Sequence, residues 1–387
     1  MGRSCNLLFG LAVFILFHYH TSLAIVPNVS TDKDALLALK SHISSSDPND
    51  ILASNWSSFS HVCSWIGITC SSRHNRVTAL DISSMQLYGT IPPHVGNLSF
   101  LVSLDISNNT FHGKLPEELS HLQRLKLIIV DSNNFTGVIP SFLSLLPNLR
   151  ILRLSSNQFY GKIPPSLSNL TKLEGLGVEH NFLEGEIPRE LGNLRYMTIL
   201  DLQVNQLTGS IPPSIFNITT MRIITLFKNN LAVNNLDGVI PSNLGKCRKL
   251  RILSLSGNKF IGTVPRELAN LKALTELYLG YQHLQGEIPA ELGNLKKLRL
   301  LGLNKNEFTG SIPTNIFNIS ALQILDLSVN RLSGRLPSDF GRGIPSLENF
   351  SCGSNNLSGS ISASISNSSR LRTLYLSFNS FTGPGIE

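Results

Sequence analysis

From Val77 onward, apolar residues recur in one fixed pattern: L-x-x-L-x-L-x-x-N-x-F-x-G-x-I-P-x-x-L-x-x-L, clearest in Leu149–Leu170. Thirteen copies begin at Val77, Leu101, Leu125, Leu149, Leu173, Met197, Met221, Leu250, Leu274, Leu298, Leu322, Leu347 and Leu371. Their spacing is 24 residues six times, then 29, then 24 three times, 25 and 24. One column is glycine in all thirteen copies, from Gly89 to Gly383, although the chain has only 29 glycines in 387 residues. Composition cannot produce such a column, so the period is structural.

Each copy divides into predicted elements. L-x-x-L-x-L predicts a short strand whose leucines point inward while the intervening residues face outward, by the period-two rule. The inward column (Leu80, Leu104, Ile128, Leu152 and onward) is apolar throughout. Successive strands should therefore stack into a parallel sheet. The Asn column from Asn109 to Asn379 is placed to satisfy backbone groups where the chain leaves the strand, with Met85 and Gln282 as replacements in copies one and nine. Phe or Leu follows, then glycine for a turn without a Cβ. Ile-Pro ends a second extended piece, because proline cannot continue a ladder. P-x-x-L-x-x-L predicts a short helical turn on the convex side. Units that bury apolar surface only against their neighbours make an α/β repeat solenoid.

Upstream lies a different pattern. Met1–Ala24 carries Arg3, an apolar run Leu7–Phe17 and Ser22-Leu23-Ala24, which predicts a secretory signal peptide over residues 1–24. Residues 25–76 predict a cap for the open end of the solenoid, and 77–387 hold the thirteen repeats. Thr31 with Asp34 predicts a capping box, followed by a helical face of Ala35, Leu36, Leu39 and Ile43. Cys63 and Cys70 are close in sequence and have no histidine pair beside them, so they are read as a disulfide rather than a metal site. Trp56 and Trp65 supply bulk.

The L-x-G-x-I-P signature, the 24-residue period and Cys63-Ser64-Trp65-Ile66-Gly67-Ile68-Thr69-Cys70 resemble the plant-type leucine-rich-repeat class. Within it the chain looks like the ectodomain of a leucine-rich-repeat receptor-like kinase, and Arg76–Leu98 resembles the subfamily that contains immune receptors. The resemblance implies a right-handed superhelix with its parallel sheet on the concave face. It also implies a peptide or protein ligand, a co-receptor kinase of the same class and a place on the outer face of the plasma membrane.

Composition adds limits. The formal charge is +7, but Lys and Arg are scattered along the array, so no nucleic-acid partner is expected. Sequons at Asn55, Asn97, Asn108, Asn134, Asn169, Asn217, Asn318, Asn349, Asn356 and Asn367, besides Asn28, agree with export and are candidate glycosylation sites. Cys247 and Cys352 read as buried small apolar residues. Asp339-Phe340-Gly341 matches a kinase Mg²⁺-binding tripeptide, yet Phe340 falls on a core column, and no glycine-rich loop, His-Arg-Asp or strand lysine accompanies it. No catalytic, cofactor or metal set is expected, so the chain is not read as an enzyme. No segment after the signal approaches 18 consecutive apolar residues; membrane association is expected only through a part outside this sequence. The thirteenth copy stops after Gly383 without its Ile-Pro and turn, so the array is expected to be a piece of a longer receptor or a truncated product.

Every conserved-looking column is structural, which leaves specificity to the outward x positions. In copies five to ten these change from Ser, Asn and Asp to Glu179, His180, Gln203, Phe227, Lys228, Glu276, Tyr278, Tyr281, Asn304 and Lys305. Aromatics beside charges are what an interface uses as anchors, so this set is the expected ligand-binding face. The competing expectation is a secreted inhibitor of the polygalacturonase-inhibitor type. Such proteins carry a C-terminal cysteine cap that this sequence does not show.

Overall fold

A computed structural model describes residues 28–45, 51–228 and 235–383. The expected signal segment, residues 46–50, most of the 29-residue unit's extra turn (including Asn229) and Pro384–Glu387 lie outside the described residues.

The cap begins with a helix, Val29–Ser41. Its N-cap is Asn28, not Thr31: Asn28 Oδ1 accepts from the backbone of Ser30 and Thr31 (2.9 and 3.2 Å), and Thr31 Oγ1 accepts from Asn28 N (3.0 Å). Thr31 thus serves as the third helical residue of the box. Asp32 is then free to turn inward, where it is fully buried. Ala35, Leu36 and Leu39 form the buried face, while Ile43 belongs to a short strand, Ile43–Ser45, that pairs antiparallel with Leu87–Gly89. Trp56 and Trp65 stack with centroids 5.4 Å apart, both buried. Cys63 and Cys70 form a disulfide. The strand it anchors, Ile68–Cys70, pairs antiparallel with Val77–Asp81 and so closes the edge of the concave sheet.

That sheet has 14 strands, all parallel after the first pair. Registers match column to column: Leu80 faces Leu104, Leu104 faces Ile128, and Leu325 faces Phe350. One buried apolar cluster therefore runs from the cap helix to Ile365. Leu371, Leu374, Leu376 and Phe381 of the last described repeat are only partly buried. The second extended pieces form an eight-stranded and two three-stranded sheets on the flank. Most of the turns between them are five-residue 3₁₀ turns capped by the proline of Ile-Pro, as in Pro165–Asn169 behind Pro164. Their proline N-cap makes no side-chain cap hydrogen bond.

The polar columns close the backbone ledger. Asn157 Nδ2 donates to the carbonyls of Val130, Leu154 and Ser155, and its Oδ1 accepts from Phe135 N, 3.0 Å away in the preceding repeat. Gln282 performs the same exchange with Leu255 O and Phe260 N. Column glycines hold left-handed backbone, for example Gly161 at φ +74°. Phe340 is buried against Phe317 and Phe350, with centroids 5.3 and 5.6 Å away, as its core column requires.

Candidate ligand-binding face

The concave strands present alternating residues outward, and what they present decides where anything can bind. In repeats six to ten they surround a hollow of about 440 Å³. Six of the ten expected residues line it: Gln203, Phe227, Glu276, Tyr278, Tyr281 and Asn304. Thr225, Ile252, Ser254 and Ser256 complete it. The serines are its floor, small residues set between the rings of neighbouring repeats. Repeat eight reads Ser254-Leu255-Ser256-Gly257 where repeat seven has Phe227 and Lys228 and repeat nine has Tyr278 and Tyr281.

The aromatic residues are walls more than protrusions. Phe227 and Tyr278 are half-buried, and only Tyr281 is exposed, at 52%. The Tyr278 phenol donates to Glu276 Oε2 at 2.9 Å, and burial, helped by that carboxylate, pushes its pKa up to about 12. It is a neutral hydrogen-bonding group at any physiological pH. Lys228 Nζ lies 5.0 Å from the Phe227 ring centre and Lys305 Nζ 4.4 Å from that of Tyr281. Each contact stabilises its lysine by about 0.5–1 kcal/mol and holds the charge at the rim.

Glu179 and His180 are not part of the hollow. Glu179 sits 3.9 Å from Arg153, which pairs with Asp131 at 2.6 Å. Beside them Asp201 is pushed up to about 6, chiefly by burial and then by the Glu179 charge. This acidic group occupies repeats three to six, on the cap side of the hollow.

A backbone feature escaped the sequence pattern. The residue before each Asn-column position is left-handed in every repeat: His180, Val204, Lys228, Tyr281, Lys305 and Val329 all have φ between 47° and 58°, and Gly257 has 68°. The ladder around this row fixes its conformation whatever the side chain. Lys228, Tyr281 and Lys305 are therefore held at defined directions above the hollow.

Larger hollows exist on the flank, about 700 Å³ around Pro241 and Pro265 and about 670 Å³ around Pro188 and Pro212. They recur between successive Ile-Pro segments, so they belong to the scaffold. Among the described residues no group of His, Cys, Asp and Glu could hold a metal ion, and no helix is long and apolar enough to cross a membrane. Cys247 and Cys352 are fully buried, their thiols pushed by burial up to about 11 and about 12. Asn97, Asn169, Asn217, Asn318 and Asn367 close exposed convex turns, and Asn134 and Asn356 open flank strands. Asn108 and Asn349 lie on the concave side, away from the hollow; Asn55 accepts from Ile66 N at 2.6 Å.

Comparison with known proteins agrees with this architecture. A leucine rich repeat N-terminal domain matches residues 29–71, and the leucine rich repeat matches 100–122, 148–170, 196–218, 249–271 and 321–342. The chain is built of leucine-rich repeats behind a leucine-rich-repeat N-terminal domain. Its relatives include plant receptor kinases that carry such repeats. It is 46% identical over 71 residues to the Arabidopsis thaliana LRR receptor-like serine/threonine-protein kinase EFR, a stretch covering 18% of this chain and 7% of that protein. A putative receptor-like protein kinase of the same plant is 42% identical over 73 residues, 19% of this chain and 7% of its own length. Among solved structures, PEPR1 with AtPEP1 superposes with TM-score 0.78 at 32% identity, covering 92% of this chain and 52% of that one. The Arabidopsis receptor kinase HAESA, in complex with the peptide hormone IDA and the co-receptor SERK1, gives 0.72 at 29%, covering 91% and 66%. These matches are to non-catalytic repeat modules, and no kinase domain is matched in this chain. The chain spans about half to two thirds of the solved relatives' length.

Proposed function

We propose that the chain is the extracellular ligand-recognition module of a receptor-like kinase. It binds a peptide or protein on its concave face and pairs with a leucine-rich-repeat co-receptor kinase to signal in defence or development. In this reading residues 1–24 are a signal peptide, 25–76 cap the array and 77–387 are its repeats. The module works outside the cell, at the outer face of the plasma membrane, and its sequons carry glycans. The carrying observation is the apolar hollow walled by Phe227, Tyr278 and Tyr281. Large rings at such positions have a solubility cost unless something covers them. The likeness to receptors solved with a peptide hormone and a co-receptor supports the same reading.

Selection of a random displayed peptide library on the purified chain tests it. The expected binders are lost on the triple variant Phe227→Ser, Tyr278→Ser, Tyr281→Ser, whose melting temperature stays unchanged. Binders that keep their affinity for the triple variant would refute the site.

A further inference from the structure

The hollow is framed by positive charge on both rims. Where the strands begin, Arg222, Arg251 and Arg299 are exposed; at the opposite rim stand Lys228 and Lys305. Among the described residues none of these five forms an ion pair. The one carboxylate lining the hollow, Glu276, is occupied by the Tyr278 phenol. Repeats three to five differ, because their acids meet internal cations: Asp131 and Glu179 face Arg153, and Glu174 pairs with Arg150 at 3.1 Å. Arg150 and Arg153 in this stretch are paired, while the five cations around the hollow are not.

We propose that the hollow takes an acidic peptide segment. One apolar or aromatic side chain sits between Phe227, Tyr278 and Tyr281, and carboxylates on either side of it meet the rim cations. This rests on the receptor reading and adds the chemistry of its ligand. Concave strands lie about 4.8 Å apart, so the cations of repeats seven to ten fall within two or three extended residues of the anchor. Exposed cations of this kind act through long-range attraction and orientation, which makes binding salt-dependent. The apolar lining separates such a peptide from a polyanion, which has nothing to place there.

Three fluorescein-labelled heptapeptides test the proposal by anisotropy: Asp-Asp-Gly-Phe-Gly-Asp-Asp, the same peptide with Lys for each Asp, and the same with Ser for Phe. The acidic Phe peptide should bind about tenfold or more tighter than either control, and more weakly as salt rises. The variant Arg251→Glu with Lys305→Glu, both at exposed rims, should invert the preference toward the Lys peptide while the melting temperature holds; Arg222→Gln should weaken the acidic peptide alone. Equal binding of the Lys peptide, retained binding of the Ser peptide, or displacement by heparin that ignores the three ring substitutions would each overturn it. If displayed-library binders need the three rings but show no acidic bias, this proposal falls and the receptor reading stands. If no binder needs the rings, both fall.

Discussion

Arg76, the residue before the first repeat, forks onto Asp32 of the cap helix: Nε to Oδ2 at 2.8 Å and Nη2 to Oδ1 at 2.7 Å. Asp32 Oδ2 also accepts from Val77 N at 2.9 Å, so one buried carboxylate ties the cap to the first strand of the array. The guanidinium is further covered by the Phe100 ring, 4.5 Å from its centre. Removing one partner leaves the other charge buried without its counter-ion, at a cost of about 3–5 kcal/mol. Asp32→Ala should lower the denaturant midpoint sharply, and the double variant Asp32→Leu with Arg76→Met should recover much of the loss. Equal loss in both variants would mean that the pair's charge is not what matters.

The cap's second tie is the Cys63–Cys70 disulfide beside the stacked tryptophans. Closing so short a loop constrains the unfolded chain by about 2–3 kcal/mol. Cys63→Ser should therefore cut secretion yield and lower the melting temperature. Normal yield with an unchanged melting temperature would contradict the capping role.

Asp201 makes the stability of the chain depend on pH. The folded chain holds its proton to about pH 6, against 3.8 for an ordinary aspartate. Folding is therefore favoured by this group below about pH 4, and the contribution is lost as pH rises through 6. Asp201→Asn should stabilise the chain at pH 7 by about 1 kcal/mol, allowing for partial exposure, and the gain should vanish near pH 4. Thermal melts of both proteins across this range read the difference directly. A gain that persists at pH 4 would remove titration as its cause.

Val329 holds φ +57° with a β-branched side chain that is 43% exposed. That conformation costs a β-branched residue about 1–2 kcal/mol, and Asn adopts it far more readily. Val329→Asn should raise stability by about 0.5–1 kcal/mol in a urea melt. A loss instead would show that the side chain packs more than its exposure implies.

The sequence shows the scaffold because each column is tied to one physical demand. Leu152 must be apolar to enter the core, Asn157 must both donate and accept between repeats, and Gly161 must turn left-handed. Positions whose conformation is imposed by neighbours leave no such trace. Ser84, His180, Val204 and Phe378 share one backbone conformation and no chemistry. The N-cap leaves an ambiguous trace for a related reason: Thr31 fits two positions of the same box, and only the inward turn of Asp32 toward Arg76 decides between them. Of the candidate face, the rings and the lysines Lys228 and Lys305 were legible one residue at a time, while Arg222, Arg251 and Arg299, at the strand starts, carried no signal of their own. Its floor at Ser254 and Ser256 was not, because depth arises from what stands in the adjacent repeats.

Hydrogen exchange with and without a library-selected peptide tests the central claim most directly. Protection should rise at the concave strands Ile223–Thr225, Ile252–Ser254 and Glu276–Tyr278, and stay unchanged at the convex turns Ser242–Lys246 and Arg266–Asn270. Protection confined to those turns, or to the flank strands, would contradict a concave binding site.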